Sequence, residues 1–338
     1  MNILAVESSC DETAVAIVRD GRQVLTDCIA SQVELHRSYG GVVPEIASRM
    51  HIEAIYGLAD QALERASLTR SDIDAIAVTY APGLIGAVLV GVNFAKAAAL
   101  ALDKPLIPVH HIRGHIAANY IAYPDLKPPF LCLVVSGGHT LIVDVKDYTE
   151  MEILGSTQDD AAGECFDKVG RVLGMPYPGG AALDQAAQKG DDTRYALPRS
   201  RPGANPYDMS FSGLKTATLN LIHHADQVGE TLDVNSLCAS FTAAVSDTLV
   251  PRVLMALEQT GRKTLAVAGG VAANSRIRKD ILQAAERLGV SVCLPPLSLC
   301  GDNAAMIGAQ AYYEYLAGNL ADMSLNAYAT KSILGEKI

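Results

Sequence analysis

The sequence predicts an α/β fold made of two related lobes, on the basis of alternating elements and two internal repeats. Short apolar runs such as ILAVESS (3–9) and IDAIAVTYAPG (73–83) are typical of buried strands. Between them, SRMHIEAIYGLADQALERASL (48–68) carries apolar residues at helical spacing. Alternation of this kind favours mostly parallel sheets that are covered by helices.

Two pairs of segments repeat in the same order along the chain. ILAVESSCDETAVAIV (3–18) resembles LCLVVSGGHTLIVDV (131–145), and each predicts a strand, a small polar turn and a second strand. IDAIAVTYAPGLIG (73–86) resembles KTLAVAGGVAANSR (263–276), and each predicts a buried strand, a glycine turn and a helix start. Two repeats in the same order predict a duplicated unit, with a boundary between the two copies near residue 107.

Two lobes that each open with a polar-turn hairpin are typical of the actin-like ATPase (ASKHA, ribonuclease H-like) architecture, with a nucleotide cleft between the lobes. Small residues in such turns let backbone N–H groups approach phosphate oxygens. A predicted helix at 303–318 would pack back onto the first lobe. We therefore expect lobe I at 1–107, lobe II at 108–325 with a helical insertion at about 157–250, and a tail at 326–338.

Composition limits the classes of function. The 338-residue chain has a formal net charge of −10, which gives no global attraction to nucleic acid. Seven cysteines without a C-x-x-C pair, and an N-terminus without a basic region, predict a cytoplasmic protein with unpaired thiols. The apolar segment 84–102 is interrupted by Asn93 and Lys96, so we expect a buried helix and no membrane span.

The segment PVHHIRGHIAANY (108–120) holds a candidate metal site. His111 and His115 are four residues apart in a predicted helix, which places their Cβ atoms about 5–6 Å apart on one face. Two imidazoles so placed can bind Zn²⁺ or Fe²⁺. The spacing is that of a zinc protease helix, but Ile112 and Arg113 follow the first histidine, so the protease glutamate is missing. A protease, another metal enzyme and two structural histidines all remain open.

A carboxylate that could complete this site lies in LCGDNAAMIGAQAYYEYL (299–316). Asp302 and Asn303 precede a clear helix, so either of them could serve as its N-cap. Asp302 could also be a third metal ligand, since two histidines and one carboxylate leave coordination positions open for catalysis.

Two polar turns offer candidate catalytic residues. In VVSGGHTLIV, Ser136 and His139 could donate hydrogen bonds to a phosphate, although a simple tight hairpin explains the glycines equally well. In SCDET, Asp11 and Glu12 face the expected phosphate position, where carboxylates suit a relay or an incoming nucleophile, or merely a polar turn. Asp11, Glu12 and His139 are therefore the candidate catalytic residues.

Two further stretches suit recognition of a sugar or a base. Asp167 and Asp184 flank the turn Pro178-Gly179-Gly180, where carboxylates can bind ribose hydroxyls; a solvated helix face that also carries Glu164 and Lys168 is the alternative. Asn274 follows Gly269-Gly270 near a helix start and could contact a base or sugar.

Taken in order, these motifs resemble those of one family, the tRNA N6-adenosine threonylcarbamoyltransferases (TsaD), formerly called O-sialoglycoprotein endopeptidases or glycoproteases. The resemblance covers about residues 2–318, with Ser8 where the family commonly has threonine. The motifs that carry it are VESSCDETAVAIV, SQVELHRSYGGVVPEIASRMH, VTYAPGLIGAVLVG, PVHHIRGHIAA, LVVSGGHTLIV, DDAAGECFDKVGRVLGMPYPGG, FSGLKT, VAGGVAANSRIR and CGDNAAMIG.

The resemblance implies transfer of a threonylcarbamoyl group from threonylcarbamoyl-AMP to N6 of adenosine 37, in tRNAs that read codons beginning with A (t6A formation). It places the ligands of one Fe²⁺ or Zn²⁺ per subunit on His111, His115 and Asp302, and Mg²⁺ could accompany the nucleotide. The substrate-binding positions that it implies are Val134, Val135, Ser136, Gly137, Gly138, Asp167, Gly180, Asp184 and Asn274.

The resemblance also implies partners: tRNA, a paralogous inactive actin-like subunit (TsaB type) and a small P-loop ATPase (TsaE type), with no membrane. The rival interpretations are a metalloprotease, an actin-like small-molecule kinase and an inactive ATP-binding scaffold. Local basic residues that could touch tRNA are Arg194, Arg199, Arg201, Arg276, Arg278 and Lys279.

Overall fold

The computed structural model describes residues 1–201 and 203–334, and these form two compact units. Unit 1 contains Met1–Pro128, Lys146–Met151 and the described residues from Pro295 onwards. Unit 2 contains Pro129–Val145 and Glu152–Leu294.

Strands and helices alternate along the described chain, as the sequence predicts. The strands are β1 (Asn2–Glu7), β2 (Glu12–Arg19), β3 (Gln23–Ser31), β4 (Ala75–Ala81), β5 (Leu106–His110), β6 (Phe130–Val135), β7 (Thr140–Val145), β8 (Met151–Ser156), β9 (Thr264–Ala268) and β10 (Ser291–Cys293). The helices are α1 (Val33–Arg37), α2 (Pro44–Ala66), α3 (Ile85–Leu102), α4 (His111–Ala122), α5 (Ala162–Val172), α6 (Gly179–Ala187), α7 (Ser212–Val228), α8 (Val234–Thr260), α9 (Ser275–Leu288) and α10 (Ala304–Leu316).

The two sheets have the same strand order, and this confirms the predicted duplication. The first runs β3-β2-β1-β4-β5 and the second runs β8-β7-β6-β9-β10. In each unit the first repeat forms an antiparallel hairpin, β1 with β2 and β6 with β7. The second repeat adds a parallel strand beside it: β4 pairs with β1, and β9 pairs with β6.

Strand alternation in unit 1 directs side chains into two separate cores. Leu4 and Val6 of β1 pack with Val88 of α3 on one face. Ile3 and Ala5 of the same strand point the other way and pack with α10 and α4. Because α10 lies on the unit 1 sheet and Asp302 precedes it, this carboxylate comes close to residues that are nearly 200 positions earlier in the chain.

The compact units differ from the lobe boundary expected near residue 107. Strand β5 pairs in parallel with β4, and α4 follows it directly, so the chain remains in unit 1 as far as Pro128. Residues from Pro295 return to unit 1, because α10 packs on β1, β2 and β5. The helical segment also extends past residue 250, to Thr260, where Gly261 with φ 66 caps α8. Of the expected tail, residues 335–338 lie outside the described residues.

Helix α3, expected to be buried, is buried on one face only. Ala87, Gly91 and Ala95 pack inward, but Ile85 and Leu100 are 52% and 70% exposed. Helices α3 and α8 are both long and apolar enough to cross a membrane, although a core helix passes the same test. All seven cysteines are free thiols, as the sequence predicts.

Candidate active site

The predicted metal ligands meet within unit 1. Helix α4 begins at His111, directly after β5, and its first two turns bring the rings of His111 and His115 to a centroid distance of 4.6 Å. Asn303 is the N-cap of α10 and its Oδ1 accepts from Met306 N (2.8 Å), so Asp302 is not needed as a cap. Oδ1 of Asp302 lies 3.1 Å from Nε2 of His115 and 3.6 Å from Nε2 of His111. We call His111, His115 and Asp302 the metal cluster.

The donor set of the metal cluster fits a divalent transition metal. One ligand atom from each residue lies within 4.8 Å of the others. His115 is buried, and within the described part of the chain neither of its ring nitrogens makes a hydrogen bond, since the short approach to Asp302 lacks hydrogen-bond geometry. Buried polar atoms are normally hydrogen-bonded. A histidine can bind a metal only through a ring nitrogen whose lone pair is free, and Nε2 of His115 makes no hydrogen bond and lies beside the carboxylate of Asp302.

Charge also favours a cation in the metal cluster. Burial lowers the pKa of His111, but the carboxylates of Asp302 and Glu7 outweigh burial and raise that pKa to about 9. The cluster therefore stabilises positive charge on or beside this imidazole.

Glu7, at the end of β1, is a candidate positioning residue that the sequence analysis did not identify. Its buried carboxylate accepts a hydrogen bond from Nδ1 of His111 through Oε2 (3.0 Å), and Thr79 Oγ1 donates to the same oxygen (2.6 Å). Burial raises the pKa of Glu7, but His111 overcomes this effect and keeps the pKa below its ordinary value. A carboxylate on Nδ1 fixes the tautomer that leaves Nε2 available to a metal. The available signal was an acidic residue directly after the apolar run 3–6.

Replacing Glu7 with glutamine is expected to weaken metal binding about 10–100-fold, as losses of such outer partners typically do. Glutamine keeps the size of the side chain but removes the charge that orients His111. Competition with a chromophoric chelator measures the affinity, and Glu34→Gln, on the exposed side chain of α1, is the matched control. An affinity equal to that of the control would exclude this role for Glu7.

Of the predicted carboxylates of the first hairpin, Glu12 lies close enough to Asp302 for the charge of Asp302 to affect its pKa. Burial is the main reason that the pKa of Glu12 rises to about 7; a hydrogen bond from Ser31 opposes the rise, and the charges of Asp11 and Asp302 add to it. Glu12 is therefore a carboxylate that can exchange a proton near neutral pH. Asp11 precedes it and is buried.

In unit 2, the predicted substrate positions Val134 and Val135 are the last two residues of β6, and Ser136, Gly137 and Gly138 lie in the turn between β6 and β7. Ser136 N donates to the carbonyl oxygen of His139 (2.8 Å), and His139 N donates to Ser136 Oγ (3.2 Å). Gly163 of α5 packs directly against this turn, since a Cβ on Gly163 would lie 2.4 Å from the backbone carbonyl oxygen of Ser136. A Cβ on Gly137 or Gly138 would meet no atom within 4 Å, so the outer side of the turn is open to a ligand.

Each of the other predicted substrate residues of unit 2 takes part in a hydrogen bond. Gly180 N donates to Oδ1 of Asp167 (3.3 Å). Ser275 donates to Oδ1 of Asp184 through its Oγ (2.8 Å) and its backbone N (3.2 Å). Asn274 caps α9 by accepting from the backbone of the next turn, so its side-chain oxygen has a structural role in addition to the predicted one. That these residues bind substrate remains a prediction.

Two details of the sequence-based interpretation change. Glu164 and Lys168 form an i,i+4 ion pair on the surface of α5, which is the solvated face considered as the alternative there. Asp11 and Glu12 belong to unit 1, whereas His139 belongs to unit 2. Only the two carboxylates are therefore in the same compact unit as the metal cluster.

Comparisons with known proteins show to which family this chain belongs. The family model described as tRNA N6-adenosine threonylcarbamoyltransferase matches residues 23–309. A relative of that name from Moorella thermoacetica is 55% identical over 96% of this chain and 95% of its own length, and one from Clostridium botulinum (strain 657) is 51% identical over 100% and 99%. Among solved structures, full-length HypF in a phosphate- and nucleotide-bound form shares the fold, with a TM-score of 0.63 at 14% identity over 98% of this chain and 47% of HypF. The chain belongs to the tRNA N6-adenosine threonylcarbamoyltransferase family.

Proposed function

We propose that this protein forms t6A in the cytoplasm by moving the threonylcarbamoyl group of threonylcarbamoyl-AMP to N6 of adenosine 37, in tRNAs reading codons that begin with A. The observation that carries the proposal is the convergence of His111, His115 and Asp302, with Glu7 behind His111, in a chain of this family.

His111, His115 and Asp302 would hold one Fe²⁺ or Zn²⁺, both of which this donor set suits. When bound, the metal supplies a Lewis acid that stabilises negative charge on a phosphate or carbonyl oxygen. Glu7 binds Nδ1 of His111 and would thereby leave Nε2 available as a ligand, and the buried surroundings of His115 would exclude water from that side. Glu12 would accept the proton that leaves the adenine amine, a role its pKa of about 7 suits.

The residues of unit 2 would hold the adenylate part of the donor. The open side of the turn at Gly137 and Gly138 allows its backbone N–H groups to approach phosphate oxygens. The carboxylates of Asp167 and Asp184 suit ribose hydroxyls as acceptors. His139 and Ser136 would contribute polar contacts from the same turn, and Mg²⁺ with the nucleotide remains a prediction.

The experiment that tests this function supplies threonylcarbamoyl-AMP and unmodified tRNA to the protein and its partners, followed by mass spectrometry of the nucleosides. We expect the threonylcarbamoyl mass on adenosine 37 of a tRNA reading an ANN codon, and none on the same tRNA with guanosine at position 37. Donor hydrolysis without any modified nucleoside would contradict the proposal.

The rival activities find less support. A zinc protease needs a glutamate after its first histidine, but Ile112 is there, buried, and Arg113 is ion-paired with Glu314 (2.9 Å). A small-molecule kinase of this fold would leave the metal cluster without a role. An inactive scaffold would not form the modified nucleoside even in a single turnover, so the same mass spectrometry separates it from an enzyme.

An exposed apolar face supports the proposed paralogous actin-like partner. Ile52 and Tyr56 of α2 are 63% and 60% exposed, and Ile85 and Leu89 of α3 are 52% and 41% exposed. Of these residues, Ile52 and Leu89 line one groove between α2 and α3. Exposed apolar patches of this kind mark protein–protein contacts. A small P-loop ATPase is proposed as a further partner from the family alone.

Charges placed in this apolar face are expected to weaken binding of the paralogous subunit. The double variant Ile52→Glu, Leu89→Glu should bind the paralogous subunit about 10-fold or more weakly, because binding would bury both introduced charges in the interface. Titration with the partner by calorimetry measures the change, and Leu316→Glu, which charges an exposed leucine of α10, is the control. Equal affinities for the two variants would place the partner elsewhere.

Three of the six basic residues considered for a tRNA path form ion pairs with acidic neighbours. Arg194 pairs with Asp233, Arg199 with Asp247, and Arg276 with Asp192 and Asp280. Paired charges give little attraction to phosphate, so we propose that partner subunits contribute much of the positive surface that tRNA requires.

A further inference from the structure

The segment at 326–334, in which the sequence shows no motif, is bound to the edge of unit 1 beside the metal cluster; we call it the C-terminal strap. Tyr328 N donates to the carbonyl oxygen of Tyr80 (2.9 Å), and Gly83 N donates to that of Ala329 (3.2 Å). Ala327 and Ile333 are 5% and 3% exposed. The strap therefore lies on the end of β4 and on the turn that follows it.

The strap also binds the first turn of α4, on both sides of His111 in the sequence. Ile112 N donates to Nδ1 of His110, so Nε2 of this ring carries the proton and donates to the carbonyl oxygen of Lys331 (3.0 Å). Nε of Arg113 donates to the carbonyl oxygen of Ile333 (3.0 Å). Two residues adjacent or nearly adjacent to a metal ligand are thus fixed by the last part of the described chain.

Arg113 connects the same turn to α10, the helix that Asp302 precedes. Its Nη1 lies 2.9 Å from Oε1 of Glu314, and both side chains are buried. The two helices pack closely here, since a Cβ on Gly114 would lie 2.6 Å from Cδ1 of Ile307. The planar guanidinium thereby holds the strap and α10 at fixed positions relative to α4.

We propose that the strap and the Arg113–Glu314 pair position the metal cluster, by holding α4 where His111 and His115 meet Asp302. Ligand distances in well-formed metal sites stay within about 0.2 Å of their preferred values, so we expect small movements of α4 to reduce affinity. The inference rests on the metal centre proposed above. Arg113, which argues against a protease, acquires a role of its own as a positioning residue.

A matched pair of variants in the full chain tests the strap. Ile333→Glu places a charge in a buried position and should release the strap, whereas Leu334→Glu adds the same charge at a neighbouring side chain that is 49% exposed. Competition of Zn²⁺ with a chromophoric chelator should show about 10–100-fold weaker binding for Ile333→Glu only. Equal affinities in two folded variants would overturn the proposal, whereas failure of the unchanged protein to bind Zn²⁺ would instead refute the metal centre.

A second variant separates positioning from folding. Arg113→Met together with Glu314→Met removes both buried charges, so neither is left unpaired, and circular dichroism in EDTA checks the fold. Positioning predicts weaker Zn²⁺ binding in this folded double variant, together with transfer activity that returns at saturating metal. Zn²⁺ affinity equal to that of the unchanged protein would show that the pair serves only stability and would overturn its part in the proposal.

Discussion

Replacing His115 with alanine is expected to remove metal binding and with it t6A formation, while the fold persists. The histidine supplies one of three ligands, and loss of a direct ligand should cost at least the roughly 100-fold that outer partners can cost. The side chain is 1% exposed, so alanine leaves a small cavity next to Asp302 without exposing the core. The variant should therefore lose metal binding and activity while it remains folded.

Metal-dependent stability provides an independent readout for His115→Ala. A metal at 100 times its Kd stabilises the folded protein by about 2.7 kcal/mol, and the variant should lose this increment. Thermal unfolding with and without Zn²⁺ measures it, and His223→Ala, at an exposed histidine of α7, is the control. A variant that still gains stability from Zn²⁺ and still modifies tRNA would remove His115 from the metal cluster.

Replacing Glu12 with glutamine is expected to slow transfer by about 10²–10⁴-fold, the usual contribution of a general base. Burial, together with the charges of Asp11 and Asp302, raises the pKa of this carboxyl to about 7. The unchanged enzyme should therefore lose rate as the pH falls below about 7, because protonated Glu12 cannot accept the amine proton. Single-turnover rates measured at pH values below and above about 7 should show this fall in the unchanged enzyme, and Glu12→Gln should lack it.

The thermal stability of Glu12→Gln should not fall with its transfer rate. A carboxyl whose pKa is raised in the folded state contributes stability below its ordinary pKa and loses it as the pH rises through about 7. Glu12→Gln should thus unfold at the same or a higher temperature at pH 8 while being slow in transfer. Glu34→Gln is again the control, and a pH–rate profile that is unchanged in Glu12→Gln would assign the proton to another group.

The duplicated fold was predictable because both repeats keep the order of strand, turn and strand. The histidine pair was predictable from helical spacing, and Asp302 from its place before a helix together with the family motifs. Which of Asp302 and Asn303 caps the helix could not be decided from sequence, because both residue types are good caps. The structure resolves this in favour of Asn303.

Other features depend on packing between distant segments, which local patterns do not encode. Glu7 acts through contacts with Thr79 and His111, 72 and 104 residues away in the sequence. The observed boundary after Pro128 differs from the one predicted near residue 107 for a similar reason. Strand β5 pairs with β4, and this pairing keeps β5 and α4 in unit 1. In these hydrogen bonds with unit 1 the C-terminal strap contributes only backbone groups, so its sequence carries little sign of them.

The central claim is that one metal ion in the cluster of His111, His115 and Asp302 is required for transfer. It is tested most directly by stripping the protein with a chelator, adding back Zn²⁺ or Fe²⁺ in steps, and measuring single-turnover t6A formation from threonylcarbamoyl-AMP with the partners present. We predict that activity is lost on stripping and returns in proportion to metal, with a break at one equivalent per chain, and that Asp302→Ala shows no return. Full transfer by the stripped protein, or an equal response in Asp302→Ala, would contradict the account.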